Sequence, residues 1–186
     1  MPKSGKAPRL ASLSSAAEAE AVHGSRFGHT ADERALFRFQ HAAICYIEAF
    51  KRHIERQMIA VTGDATFSAQ DCMILHAIRM GLRSQSIPDI QHFLNRSDVA
   101  NVQYGVKKLI KAGLVERAPR DAGRGTSYRL TQEGERISGI YVKNRRRLMA
   151  DVLHGLNNFR HDAEIASHLL MTLTGVFDHL SRTDSN

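Results

Sequence analysis

The 186 residues include only two cysteines, Cys45 and Cys72. That is too few for a disulfide framework or a four-cysteine zinc site. No apolar run reaches the roughly 18 residues that a membrane span needs. The most apolar segment, Leu169 to Phe177, is broken by Thr172, Thr174 and Gly175. The first thirty residues contain no apolar stretch of the signal-peptide kind, so a cytoplasmic, reducing setting is expected. Neither a glycine-rich phosphate loop nor a serine or cysteine nucleophile motif is found, and the expected function is therefore non-enzymatic, with no cofactor and no membrane.

Acidic residues are also scarce: 19 against 26 lysines and arginines, a formal net charge of +7. Such a field favours a polyanionic partner, nucleic acid first among them. The excess is local. Residues 1–82 carry 10 basic and 8 acidic side chains, residues 83–129 carry 9 and 4, and residues 130–186 carry 7 and 7. A solvated face that merely keeps the chain soluble could produce the same imbalance, so the placement of the charges on structure has to decide.

Residues 1–31 are rich in Ala, Ser and Gly with few large apolar side chains, which predicts a disordered leader. Lys3, Lys6 and Arg9 within it could form a basic arm. From Asp32, Leu36, Phe39, Ala43, Ile47, Phe50, Ile54 and Met58 recur at steps of three or four, predicting a long helix that ends near Gly63. A second line through Phe37, Ala42 and Ile44 makes its stripe wider than one core face needs. Ser68 with Asp71, Ser86 with Pro88 and Asp89, and Ser97 or Asp98 read as N-caps of three short helices, with Gly81 and Gly113 ending the first and third. Phe93, with Ile90 and Leu94, is expected on the core face of the middle one.

The third of these helices, about 98–112, carries the most information. Projected at about 100° per residue, Val99, Val102, Val106, Leu109 and Ile110 share one arc and predict the core face. Opposite lie Ala100, Asn101, Tyr104, Lys107, Lys108 and Lys111, with Gln103 at the border. Amides read base edges and lysines or a tyrosine hydroxyl hold phosphates, although an ordinary amphipathic surface helix would also carry such residues. Two short strands follow, Leu114 to Arg117 and Ser127 to Thr131, joined by a Gly- and Pro-containing loop bearing Arg120 and Arg124. An arginine on a slender tip suits the narrow minor groove, and a solvated loop charge is the plainer reading. Thr131 then caps a helix with a basic cluster, Lys143 and Arg145 to Arg147, and a last helix repeats Ile165, Leu169, Leu173, Val176 and Leu180. Three helices and a hairpin between long helices make a mainly α chain with a winged helix-turn-helix and a two-stranded wing.

The segments Asn101-Val102-Gln103-Tyr104, Lys108 to Arg117 and Tyr128-Arg129-Leu130-Thr131-Gln132-Glu133-Gly134, in this order and spacing, resemble the MarR family of bacterial winged-helix transcription regulators. The resemblance covers about residues 33–181 and looks most like a divergent subgroup, because Gly105 interrupts the recognition helix and the wing departs from the usual Asp-x-Arg pattern. It implies a winged helix at about 65–131, dimerisation helices at about 32–62, 132–158 and 162–181 within one domain spanning 32–181, and a tail at 182–186. It further implies a homodimer placing two recognition helices in successive major grooves of double-stranded DNA, with wings 117–127 at the minor groove. The broad apolar stripes of the terminal helices agree with pairing of two copies. Many such regulators respond to a small apolar effector. The candidate DNA-binding residues are Ser97, Asn101, Gln103, Tyr104, Lys107, Lys108, Lys111, Arg120 and Arg124, the last two being alternatives for the wing arginine.

Other groupings point to weaker chemistry. Cys45 and Cys72 are expected to be buried thiols rather than redox sensors. His161, Glu164 and His168 share a helical face, yet no third nitrogen or sulfur lies nearby in sequence to complete a zinc site. Asp151 and His154 lack a nucleophile to serve. Two further readings stay open: a non-specific architectural DNA binder, and an enzyme or protein-interaction module on the same scaffold.

Overall fold

A computed structural model describes residues 30–119, 125–153 and 156–183. The N-terminal leader, Arg120, Arg124 and His154 lie outside the described residues, as does the side chain of Asp151. Element order is α1 (Ala31–Thr62), α2 (Ala69–Met80), β1 (Gln85–Ser86), α3 (Ile87–Leu94), α4 (Val99–Lys111), β2 (Val115–Arg117), β3 (Ser127–Leu130), α5 (Gln132–Leu153) and α6 (Phe159–Thr183). The chain divides into two compact units after Arg56, within α1.

In the first unit, Thr30 and Glu33 cap α1 reciprocally: Glu33 N donates to Thr30 Oγ1 at 3.1 Å and Thr30 N to Glu33 Oε2 at 3.0 Å. Leu36, Ile44, Tyr46 and Ile47 are exposed on it. Cys45 is exposed as well, against the expectation of a buried thiol, because it lies on the same outward side as Ile44 and His41, whose Nε2 is 3.6 Å from Cys45 Sγ.

The second unit is built around one core of Met58, Phe67, Ile74, Leu75, Ile78, Ile90, Val102, Val106, Leu109, Leu114, Val115 and Ile137. Short helices hold their ends through local chemistry. Ser68 with Asp71 and Ser86 with Asp89 form complete capping boxes, Asp98 caps α4, and Asn95 ends α3 in the left-handed conformation with φ 48°. The end of α4 is a Schellman turn: Leu114 N donates to Leu109 O at 3.0 Å and Gly113 N to Ile110 O at 2.9 Å, with Gly113 at φ +71°. The paired C3 and C″ side chains, Leu109 and Leu114, are both buried.

The sheet has three antiparallel strands in the order β1-β3-β2, one more than the two-stranded wing read from sequence. Val115 faces Leu130, Arg117 faces Tyr128, and Gln85 faces Tyr128 from the other side. A two-residue strand carries no alternation to read, and Ser86 at its end serves at once as the cap of α3. Phe93 is also displaced from the expected core face: it is 50% exposed and lies edge-on to His76 at 6.2 Å between ring centroids. The last helix begins at Phe159 rather than near Asp162, and none of its described residues is buried.

Among the described residues no helix is long and apolar enough to cross a membrane, and no three His, Cys, Asp or Glu side chains converge on a metal-sized site.

Candidate nucleic-acid interface

The face that α4 presents outward depends on how the helix is rotated about its axis. Apolar periodicity centres the buried arc between Val99 and Leu109. The structure turns it by about 40° toward Gly105, taking about 100° of rotation per residue. Val102, Gly105, Val106 and Leu109 are buried, whereas Val99 is 47% exposed rather than a core contact. The reason is at Gly105: a Cβ there would stand 2.4 Å from Ile74 Cδ1 and 3.4 Å from Asp71 Oδ1, so α2 packs directly on the glycine backbone. The missing side chain thus lets the two helices approach closely at this point.

This rotation sorts the candidate residues. Asn101, Gln103, Tyr104, Lys107 and Lys111 are exposed on one side of α4, with Ser97 exposed just before its cap. Gln103, at the border in the sequence projection, now lies well within the outward face. Tyr104 is 68% exposed. Lys107 and Lys111 form no ion pair among the described residues, and α4 contains no acidic residue. At the amino end, Asp98 Oδ1 accepts from Asn101 N at 3.0 Å while Oδ2 accepts from the Asn101 side-chain amide. These backbone and side-chain bonds from Asn101 hold the Asp98 carboxyl below its usual range, with Arg96 adding a smaller attraction. The side-chain amide of Asn101 is thereby held against the cap of α4.

Lys108 goes elsewhere. Its Nζ donates to Asp71 Oδ2 at 2.6 Å and to Thr66 O at 2.5 Å, and sits 5.3 Å from the centre of the Phe67 ring. It is therefore drawn toward the amino end of α2 rather than presented with Lys107 and Lys111. Asp71, 3% exposed, is the residue that sequence reasoning missed. Its position three residues after Ser68 was legible as a cap, but the long-range partner 37 residues on was not.

The wing is anchored at its base. Thr131 Oγ1 donates to Gly113 O at 2.6 Å and accepts from Gly134 N at 3.0 Å, while Thr131 N donates to Leu114 O at 3.1 Å. A Cβ on Gly134 would lie 2.0 Å from Leu114 O. The Leu-Thr-x-x-Gly pattern is thus a joint locking the turn after α4 against the start of α5. On the exposed strand face Arg129 Nε pairs with Glu116 Oε1 at 2.7 Å. Arg117 is exposed at the end of β2.

One pocket of about 270 Å³ opens between Val61, Phe67, Leu114 and Ile137, with Glu133 and Arg136 on its lining. Those two side chains pair with each other, Arg136 Nε and Nη2 reaching Glu133 at 2.7 and 2.6 Å.

Comparison with known proteins agrees with this geometry. A family model described as a winged helix DNA-binding domain matches residues 67–134. No curated protein sequence matches the chain significantly. Among solved structures, a MarR family transcription regulator is 18% identical, covers 81% of this chain and 95% of its own length, and superposes with a TM-score of 0.63. The transcriptional regulator BldR from Sulfolobus solfataricus is 19% identical over 77% of this chain and 99% of its own, with a TM-score of 0.60. FabT of Streptococcus pneumoniae, solved in complex with DNA, is 14% identical over 76% of this chain and 99% of its own, with a TM-score of 0.53. Residues 67–134 are thus similar to a winged helix DNA-binding domain, and the chain has the fold of the MarR-family regulators.

Proposed function

We propose that the protein is a sequence-specific transcription regulator of the MarR family that binds double-stranded DNA as a homodimer, with α4 in the major groove and the 117–127 wing at the minor groove. The observation that carries this reading is the outward face of α4. It combines two amides, a tyrosine hydroxyl and two lysines outside any described ion pair, on a helix without acidic residues. Amides add little to phosphate attraction and much to base discrimination, a bidentate pair being worth about 1–3 kcal/mol. A binder held only by phosphate attraction gains little from them. Arg120 or Arg124, as alternatives, completes the proposal as the wing arginine.

Pairing of two copies is supported by the apolar side chains left exposed on α6, namely Ile165, Leu169, Leu170, Val176, Phe177 and Leu180, and separately by Leu36, Ile44 and Ile47 on α1. Each recurs at helical spacing, which is what an isologous interface buries. The family likeness also suggests a small apolar effector. The described pocket is smaller than the roughly 300–1,000 Å³ of ordinary ligand sites, so no effector is assigned to it.

The test is binding to duplex DNA from upstream of the protein's own gene and to a shuffled duplex of equal composition, across a salt series. A preference of about a thousandfold, saturating at one dimer per site, is the expected result. Asn101→Ala with Gln103→Ala should abolish most of that preference while leaving the salt slope nearly unchanged. Equal, steeply salt-dependent binding to this duplex, its shuffled counterpart and duplexes selected from a random pool favours the architectural reading. Absence of binding to any duplex at low salt refutes both.

A further inference from the structure

The strongest unassigned feature is the buried contact between the amino end of α2 and the middle of α4. Asp71 accepts three hydrogen bonds at one oxygen, Oδ2: from Ser68 N at 2.8 Å, Ser68 Oγ at 2.9 Å and Lys108 Nζ at 2.6 Å. Lys108 is held from its other side by Thr66 O. One residue before Asp71, Gln70 Nε2 donates to Asn101 O at 3.3 Å, tying the first turn of α4 to the same helix end.

Building on the regulator reading above, we infer that Asp71 and Lys108 are positioning residues for base reading: their clasp fixes the rotation of α4, and Lys108 acts on sequence preference without touching DNA. At Gly105 α4 offers α2 bare backbone, and the contacts that seat the helix there, Ile74 with Val102, Val106 and Leu109, are apolar and carry no directional bond. Lys108 lies one turn from Gly105, on the flank of the contact that faces Thr66 and Phe67, and its ion pair resists a roll of α4. A rotation of about 20° moves a side-chain tip on a helix of roughly 5–6 Å outer radius by about 2 Å. That exceeds the tolerance of a bidentate amide–base pair, whose hydrogen bonds weaken beyond about 3.2 Å. Attraction to phosphates tolerates such a shift because it is long-ranged and non-directional. Without the clasp, discrimination is therefore degraded and the electrostatic component is spared.

The experiment uses the full chain, a duplex selected from a random pool by the unaltered protein, and a shuffled duplex. Asp71→Asn is the principal variant. It keeps the shape and an acceptor for Ser68, so the cap survives, but removes the charge that holds Lys108. Lys108→Met breaks the clasp from the other side, and far-UV circular dichroism reports that each variant is folded. The expected result is a fall of about tenfold or more in preference for the selected duplex, the scale of reading a single base pair, with an unchanged salt slope. Lys107→Ala with Lys111→Ala should instead lower the slope by about 0.9 for each phosphate no longer neutralised.

A folded Lys108→Met whose slope falls by about one unit while its preference stays intact would make Lys108 a phosphate ligand and overturn the inference. So would an Asp71→Asn variant that retains both preference and slope. Failure of the unaltered protein to enrich or bind any duplex overturns the regulator reading itself, and the inference with it.

Discussion

Replacement of Gly105 by alanine tests the packing that aims the reading face. In an open helix the change stabilises by about 1 kcal/mol, because glycine loses more backbone freedom than alanine on folding. Here the new Cβ would stand 2.4 Å from Ile74 Cδ1, and Ile74 is fully buried. The optimum carbon–carbon separation is about 3.5–4.0 Å, so more than about 1 Å of displacement is forced into a close-packed core. Overpacking of this kind costs about 1–3 kcal/mol, so after the propensity gain Gly105→Ala should be destabilised by about 1 kcal/mol. Ile74→Val alone should cost about 1 kcal/mol through the space it leaves. Combined, the two fit: valine lacks Cδ1, and the nearest remaining atoms, Asp71 Oδ1 at 3.4 Å and Ile74 Cγ1 at 3.8 Å, are at ordinary van der Waals separation. The double variant should therefore approach the stability of the unaltered protein, with a coupling of about 2 kcal/mol. Urea unfolding at one fixed protein concentration measures all four, since self-association would otherwise shift the midpoints. Simple addition of the two single effects would refute the claim that contact with Ile74 keeps residue 105 a glycine.

At the wing base, Gly134→Ala places a methyl against the backbone oxygen of Leu114, and should destabilise by about 3 kcal/mol in the same denaturation assay. Thr131→Val removes the hydroxyl that bonds Gly113 O and Gly134 N, and should cost about 1–3 kcal/mol. His76 supplies a pH test. Burial first, then Arg145 and Arg79, hold its ring below the ordinary value of 6.5. The unfolded chain consequently takes up this proton before the folded one. Its contribution to stability is complete above about pH 6.5 and declines as pH falls from there toward the lower folded value. His76→Gln should flatten that part of the stability profile, and NMR titration of the ring should show the depressed midpoint directly. Asp98→Ala should increase amide exchange at Asn101, whose N–H it leaves without a side-chain acceptor.

Much of the architecture was legible because it rests on local chemistry. Ser68 with Asp71 and Ser86 with Asp89 announce helix starts through spacing alone. Gly113 announces a stop because the turn after α4 requires a positive φ. The third strand was not legible, since Gln85–Ser86 is too short to show a period and exists only by pairing with Tyr128 and Ser127. Phe93 misled for a related reason: apolar character identifies a residue that can be buried, while its 50% exposure beside His76 is set by where α3 docks. Cys45 misled in the same way.

The sequence by itself determined the order of the helices and of the two wing strands, the existence of an outward face on α4 and the chemistry that face carries. These follow from periodicity, capping and charge, all encoded within a few residues. Tertiary structure decided which side chains belong to that face. Periodicity counts apolar side chains, and Gly105 has none, so only the approach of Ile74 reveals that the helix is turned to bury it. The same turn exposes Val99, carries Gln103 outward and brings Lys108 to Asp71, a pairing between residues 37 apart that no local pattern encodes.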